Sequence, residues 1–299
     1  MVAYTKYRKI YFIISAVLML TSVLVLILFG LKPSIDFTGG TILEINYKDA
    51  RPSNQEISSQ LTEFNLGSLT VQPAGEKGVI IRMKDISEEV HNQILVKLGK
   101  EEGKIEEIRF ETIGPTIGKE LKGKTNLVVF LALLAMLIYI ALAFRRVQKP
   151  VKSWQYGISS LIALFHDILI PLGVFAVLGK FYNVEISIPI ITALLTVLGY
   201  SINNTVVVFD RIRENLLKFG GYFNEIIDKS LNQTLTRQLN TSLTTLFALI
   251  AIFFFGGETL KYFSLALIIG ILAGMYSSFF IAGPLLLSWS NLTSKSKRK

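Results

Sequence analysis

Asp167 sits in the middle of an apolar run, with His166 before it and Pro171 four residues after it. The run begins near Gly157, ten residues earlier, so in a helix rising 1.5 Å per residue the carboxylate lies ~15 Å in, about the centre of a ~30 Å hydrocarbon core. An ionisable group at that depth faces a protein interior or a water path rather than lipid. Desolvation disfavours the charged carboxylate, so Asp167 either exchanges a proton with such a path or is held permanently by hydrogen bonds as a packing contact. Pro171 has no N–H, which deprives the Asp167 carbonyl of its helical partner and predicts a kink. His166, its immediate neighbour, lies roughly 100° round the helix and is expected on a different face, where it extends a relay or bonds a backbone carbonyl.

Two further polar groups interrupt apolar runs. Ser201, Asn203, Asn204 and Thr205 precede Val206–Phe209, and Arg237 lies among Thr234, Thr236, Gln238, Asn240 and Thr241. Neutral amides at such positions bond neighbouring helices at ~1 kcal/mol each or line a hydrated path. An arginine near a helix end also reaches headgroups by snorkelling. Gly118–Thr125 spells G-x-x-x-x-G-K-T, the pattern of a phosphate-cradling loop. It follows Gly114-Pro115-Thr116 and leads into an apolar run rather than following a buried strand, so we read it as a basic, glycine-bearing entry to the membrane. No other cofactor motif stands out, and no catalytic constellation argues for an enzyme. With no cysteine and only His91 and His166 as histidines, neither a disulfide nor a multi-histidine metal site is expected.

These residues are carried by elements of membrane-spanning length. Hydrophobic residues make up 51% of the 299 and charged ones 18%, with a mean hydropathy of +0.49, too apolar for an ordinary soluble domain. Six runs can span: Ile10–Leu31, Leu127–Phe144, Gly157–Leu178, Ile186–Phe209, Leu239–Phe255 and Tyr262–Trp289. The first is longer than a signal core and ends in Phe29-Gly30-Leu31-Lys32-Pro33 without a small-x-small site, so it is read as a retained anchor.

Orientation follows the short loops, because Lys and Arg resist translocation. Three basic residues lie at the N-terminus, four in Arg145–Lys152, five from Arg211 to Arg237 and four in Lys295–Lys299, against Lys180 and Lys261 alone on the other side. Both termini are therefore expected in the cytoplasm. The net charge of +9 needs no nucleic acid to explain it, since basic loops also favour anionic membrane lipid. The expected division is 1–31, N-terminus and first spanning helix; 32–126, an extracytoplasmic α+β domain; and 127–299, helices two to six with their cytoplasmic loops.

Within the outer segment, Leu43, Ile45 and Tyr47 alternate with polar residues as a strand. Ser53-x-x-Glu56 is a capping box ahead of Ile57, Leu61 and Phe64 at helical spacing. Leu69–Val71 and Val79–Met83 read as a strand pair turning near Gly75 and Gly78; a helix fits 87–100, and Ile108 and Phe110 fall in a last strand. The order β-α-β-β-α-β is ferredoxin-like. In the last apolar run Gly270-x-x-x-Gly274 permits close helix approach.

Taken together, several motifs resemble the SecF family, the smaller membrane subunits of the SecD–SecF protein-export complex. They are Asp36-Phe37-Thr38-Gly39-Gly40-Thr41, Gly114-Pro115-Thr116-Ile117-Gly118, Phe165-His166-Asp167, the stretch from Gly199 to Asn215 containing Ser201-Ile202-Asn203-Asn204-Thr205, and Asn232-Gln233-Thr234-Leu235-Thr236-Arg237. The resemblance spans almost the whole chain.

It implies half of a resistance-nodulation-division type permease that pairs with SecD beside the SecYEG channel, with YajC and YidC as further partners, and that uses ion flow to help draw a translocating preprotein outward across the bacterial inner membrane. It places Asn203, Asn204 and Arg237 on the ion path with Asp167 and His166. Gly39 and Gly40, beside the first strand, are expected as a hinge. The family commonly has Asn-Asp-Thr where this chain has Asn203-Asn204-Thr205, and an amide does not exchange protons as a carboxylate does. Either protons use carboxylates of SecD together with Asp167, or the coupling ion differs, sodium bound by neutral oxygens being the alternative. A small-molecule or lipid exporter of the same architecture, and a structural subunit without ion coupling, are the competing readings.

Overall fold

Apolar runs bounded by helix-forming polar residues become helices longer than the runs themselves. The computed structural model describes residues 2–144 and 150–296. Arg145, Arg146, Lys149, Lys297, Arg298 and Lys299, which enter the orientation argument, lie outside the described residues. Among those described, six helical segments are long and apolar enough to cross a membrane: Tyr4–Phe29, Pro115–Ala143, Ser153–Tyr182, Ile188–Lys218, Phe223–Phe255 and Leu260–Asn291. Each contains or closely matches one of the six apolar runs. They overrun them because flanking Lys, Arg, Glu and Gln are good helix formers and extend the ladder without needing lipid. The chain is a multi-pass membrane protein.

Contacts divide it into two units, residues 1–32 with 128–299 and residues 33–127. In the second unit the elements are the short helix α2 (Ile35–Thr38), strand β1 (Gly40–Tyr47), α3 (Asn54–Leu61), β2 (Thr70–Ala74), β3 (Gly78–Met83), α4 (Glu88–Lys97) and β4 (Ile105–Ile113). The sheet order is β2-β3-β1-β4, every neighbouring pair antiparallel, which is the ferredoxin-like arrangement. Period-two alternation puts Leu43, Ile45 and Tyr47 and Val79, Ile81 and Met83 on one face, where they form a core with Ile57 and Leu61 of α3 and Ile94 of α4. The capping box closes as expected: Ser53 N–H donates to Glu56 Oε2 at 2.8 Å, and Glu56 N–H donates to Ser53 Oγ at 3.2 Å.

One detail departs from simple alternation. The β1–β4 register passes from Glu44↔Arg109 to Ile45↔Glu107, so Ile108 is an extra residue in the strand, a bulge that leaves its side chain exposed.

The first unit holds α1 (Arg8–Phe29), α6 (Ser153–Tyr182), α7 (Ile188–Lys218), α8 (Phe223–Phe255), α9 (Gly257–Ser277), a π-helical turn over Ser278–Ala282 and α10 (Gly283–Ser296). Helix α5 (Pro115–Ala143) begins in the second unit and ends in the first. Helix α1 stops at Gly30, whose φ of +67° breaks the ladder. The phosphate-loop pattern Gly118–Thr125 lies inside α5, where backbone N–H groups serve the helix and cannot cradle a phosphate. Its first glycine has a packing reason: a Cβ on Gly118 would come within 2.8 Å of the Gly39 nitrogen.

Candidate functional site: a buried carboxylate at a three-helix junction

Helices α6, α7 and α9 meet where small residues let their backbones approach. A Cβ on Gly270 of α9 would overlap the Val197 side chain of α7, and one on Gly274 would lie 3.4 Å from Asp167 Oδ2. The Gly270-x-x-x-Gly274 spacing is thus a packing face, as expected, and its second glycine is seated against the carboxylate. Helix α6 runs through Pro171 without ending. Asp167 is fully buried.

Its oxygens are satisfied from three directions. Oδ2 accepts from Ser201 Oγ at 2.5 Å and from Ser277 Oγ at 2.7 Å. Oδ1 lies 2.9 Å from His166 Nδ1. The last contact corrects the expectation that His166 and Asp167 point to separate faces. Adjacent Cβ directions do diverge by ~100°, but both side chains are long enough to fold toward each other inside a closed interior, and His166 is also fully buried. Its ring stacks on Tyr276, with centroids 5.7 Å apart. The Tyr276 hydroxyl accepts from Ser15 Oγ at 3.3 Å and donates to the Tyr11 carbonyl at 3.2 Å, which ties the cluster to α1.

Two consecutive serines serve two different clusters. Neighbouring side chains diverge by ~100° round a helix, and Ser277 reaches Asp167 while Ser278 Oγ, at the start of the π turn, donates to Gln238 Oε1 at 3.0 Å. Gln238 Nε2 in turn donates to the Asn204 carbonyl at 2.8 Å. Asn204 is buried, but its own Nδ2 has no partner. Sequence reasoning misses Ser277 and Ser278; their only signal is a Ser-Ser pair soon after Gly274 in an apolar run.

Asn203 and Arg237 are not brought to Asp167. Both are exposed on the outer surface of the helix bundle, as are Thr192, Thr196 and Gly199 on α7 and Asn240, Thr241 and Thr244 on α8. The threonines bond their own helices: Thr196 Oγ1 donates to the Thr192 carbonyl at 2.9 Å and Thr241 Oγ1 to the Arg237 carbonyl at 2.9 Å. The result is a polar, small-residue face spread over two neighbouring helices.

In the other unit Gly39 and Gly40 have φ of +74° and +136°. Cβ atoms there would lie 2.8 Å from Pro115 Cα and from the Met83 carbonyl oxygen. Left-handed backbone and close approach both call for glycine here. The unit also holds a polar group around His91, which stacks on Phe110 at 3.7 Å and lies 3.0 Å from Glu107 Oε1. Burial opposes the charge on Glu107, but the Lys100 hydrogen bond at 2.9 Å and the nearby His91 hold its carboxyl below the usual range. Among the described residues no three His, Asp or Glu converge as metal ligands.

Comparison with known proteins decides the family. Residues 93–292 match the model of the protein export membrane protein SecD/SecF C-terminal region, and residues 25–50 match the SecD/SecF GG motif, which contains Gly39 and Gly40. The chain belongs to the SecF family of protein translocase subunits. Among SecF relatives, the protein translocase subunit SecF of Thermobaculum terrenum is 40% identical, over 97% of this chain and 95% of its own. Protein translocase subunit SecDF of Brucella abortus is 33% identical over 96% of this chain but 38% of its own length. The crystal structure of SecDF, a translocon-associated membrane protein from Thermus thermophilus, superposes with a TM-score of 0.84 at 33% identity, covering 97% of this chain and 39% of that one. The chain therefore spans about two fifths of the SecDF chains it matches, and nearly all of the SecF relative.

Proposed function

We propose that this chain works with a separate SecD chain, in the cytoplasmic membrane of a bacterium and with both termini in the cytoplasm, to couple ion movement to preprotein export through the SecYEG channel. The observation that carries the pairing is the exposed polar face of α7 and α8. Asn203, Arg237 and Asn240 stand on it, and side chains of that kind are costly against hydrocarbon, so they are met by protein or by water held between proteins. The SecDF relatives, in which a SecF-like part occupies about two fifths of a longer chain, support SecD as the protein that covers it. The Thermus SecDF is a translocon-associated protein, which supports SecYEG as the neighbour. YajC and YidC rest on the family resemblance alone. The cytoplasmic placement of the termini rests on the basic loops.

Ion coupling uses two parts in this reading. Asp167, with His166, holds the ion inside this chain, and Asn203, Asn204 and Arg237 complete the path at the joint with SecD. One charge crossing 100 mV releases ~2.3 kcal/mol, enough to shift a two-state movement of the outer domain about fifty-fold. Gly39 and Gly40, at the edge of that domain, are the proposed pivot. The test is export of a preprotein arrested in SecYEG vesicles that contain this chain and SecD. Asp167→Asn is expected to abolish the part of export driven by the membrane potential while leaving ATP-driven export in place. Unchanged potential-driven export would reduce the chain to a structural subunit.

A further inference from the structure

Most hydroxyls inside the helices bond the carbonyl one turn back: Ser160 to Tyr156, Thr196 to Thr192 and Thr234 to Ser230, at 2.9–3.0 Å. That is the ordinary resting place of Ser and Thr in a helix. Ser159 and Thr205 depart from it. Their Oγ atoms and the Tyr156 hydroxyl are buried and have no hydrogen-bond partner, although Tyr156 and Ser159 are 0% exposed and Thr205 is 1% exposed.

The three lie along one contact. Helices α6 and α7 run antiparallel, touching at Asp167 and Ser201 and again at Tyr156 and Phe209, whose rings are 5.1 Å apart. Thr205 is four residues past Ser201, ~6 Å along the axis; Ser159 is eight residues before Asp167, ~12 Å; and Tyr156 is ~16 Å from it. The string runs to the end of the bundle at which α1 begins, where Thr5 bonds Asp228 and where Arg213 faces Tyr156 electrostatically. Toward the opposite end the interior is a hydrophobic cluster that includes Phe175, Ile190, Leu194, Val197, Leu267 and Ile271. Among the described residues, no orphaned buried side-chain atom lies on that half.

We infer that Tyr156, Ser159 and Thr205 form a hydrogen-bonding route, with water between hydroxyls set about 4–6 Å apart along the helix axis, by which Asp167 exchanges protons with the side carrying the N-terminus. Buried polar groups of this kind are satisfied by internal water, and hydroxyls both donate and accept, as proton passage requires. The α9 backbone at Gly274 lies against the carboxylate, and His166, Ser201 and Ser277 already occupy its oxygens. That leaves room for a proton and none for a hydrated cation. The route lies wholly within this chain, away from Asn203 and Arg237, and it rests on the ion-coupling role proposed for Asp167.

The test is proton entry into vesicles holding this chain with SecD, followed by a lumenal pH dye under an imposed potassium diffusion potential. Ser159→Ala with Thr205→Val is expected to slow entry at least tenfold, and Tyr156→Phe at least threefold. Each change removes only a hydroxyl's bond to water and keeps the side chain's shape, so the melting temperature of these variants is expected to stay close to the parent's. Ser264→Ala, a buried serine near the opposite end whose Oγ donates to the Lys261 carbonyl, is expected to keep the parent rate. If Asp167→Asn stops proton entry while the double variant stays within twofold of the parent, the hydroxyl route is wrong and the role of Asp167 stands. If Asp167→Asn carries the parent flux, the coupling role falls and the route with it. Equal slowing by Ser264→Ala, or full flux driven by sodium in place of protons, would also overturn the inference.

Discussion

Asp167 gains its importance from what it holds together: a histidine on its own helix and serines on two others, all bonded to one side chain. Asp167→Leu leaves those three partners without an acceptor inside the bundle, and we expect about 3 kcal/mol or more of destabilisation. Asp167→Asn retains an acceptor and the shape, and should cost no more than about half as much. Thermal unfolding in detergent compares them.

A second residue-scale prediction concerns Glu107 in the α+β unit, whose carboxyl is held low chiefly by Lys100 against the opposing effect of burial. At acid pH the folded protein binds fewer protons there than the unfolded chain. The stability Glu107 contributes is therefore complete above the unfolded value of about 4.3 and is lost as pH falls through the lower folded value. Glu107→Gln should flatten that part of the pH–stability curve, read by hydrogen exchange along β4.

At this scale the sequence displayed Asp167 plainly, because a carboxylate in an apolar run is conspicuous. It did not display the His166 contact, which depends on side-chain rotation that helical angles do not encode, nor Ser277, because a serine in an apolar run usually bonds its own helix.

Among the elements, α9 is the least ordinary, with a close-packed glycine face, a π turn and no interruption of the helical path between them. Gly270→Ala is expected to cost about 1–3 kcal/mol through overlap with Val197. Val197→Ala should recover much of that loss when combined with it, and a double-mutant cycle by thermal unfolding measures the coupling. In the α+β unit Gly39→Ala combines a left-handed backbone with a Cβ 2.8 Å from Pro115 Cα, and should destabilise that unit by about 1–3 kcal/mol.

Element order was legible. Six apolar runs and the β-α-β-β-α-β pattern both follow from periodicities of 3.6 and 2 that burial imposes. The Ile108 bulge was not, since a strand with one extra residue still reads as a strand. Nor was the start of α5 at Pro115, where an irregular-looking, glycine-bearing segment joins the spanning helix. Proline suits a first helical position, and Gly118 is required by its approach to Gly39.

For the whole molecule, the unequal surfaces of the helices matter most. Helices α1 and α5 turn mainly large apolar side chains outward, as lipid demands. Helices α7 and α8 also expose Asn203, Arg237 and Asn240, although α8 turns Phe247 and Phe254 outward further along. That polar patch sets one part of the bundle surface apart from the apolar rest, and it separates Asn203 and Arg237 from the enclosed Asp167 cluster. Sequence motifs grouped all of these residues on one path; the fold distributes them between an enclosed interior and an exposed face.

The most direct measurement uses the absence of cysteine in the chain. Asn203→Cys and Arg237→Cys, each introduced alone, place a thiol on the polar face. Co-expressed with its SecD partner, and treated with a short thiol-to-amine or photoactivated crosslinker, each should give an adduct of this chain with SecD, and a cysteine at Leu131, on the apolar surface of α5, should not. Free labelling of the two thiols by a lipid-phase reagent, equal with and without SecD and with no SecD adduct, would contradict the two-chain permease.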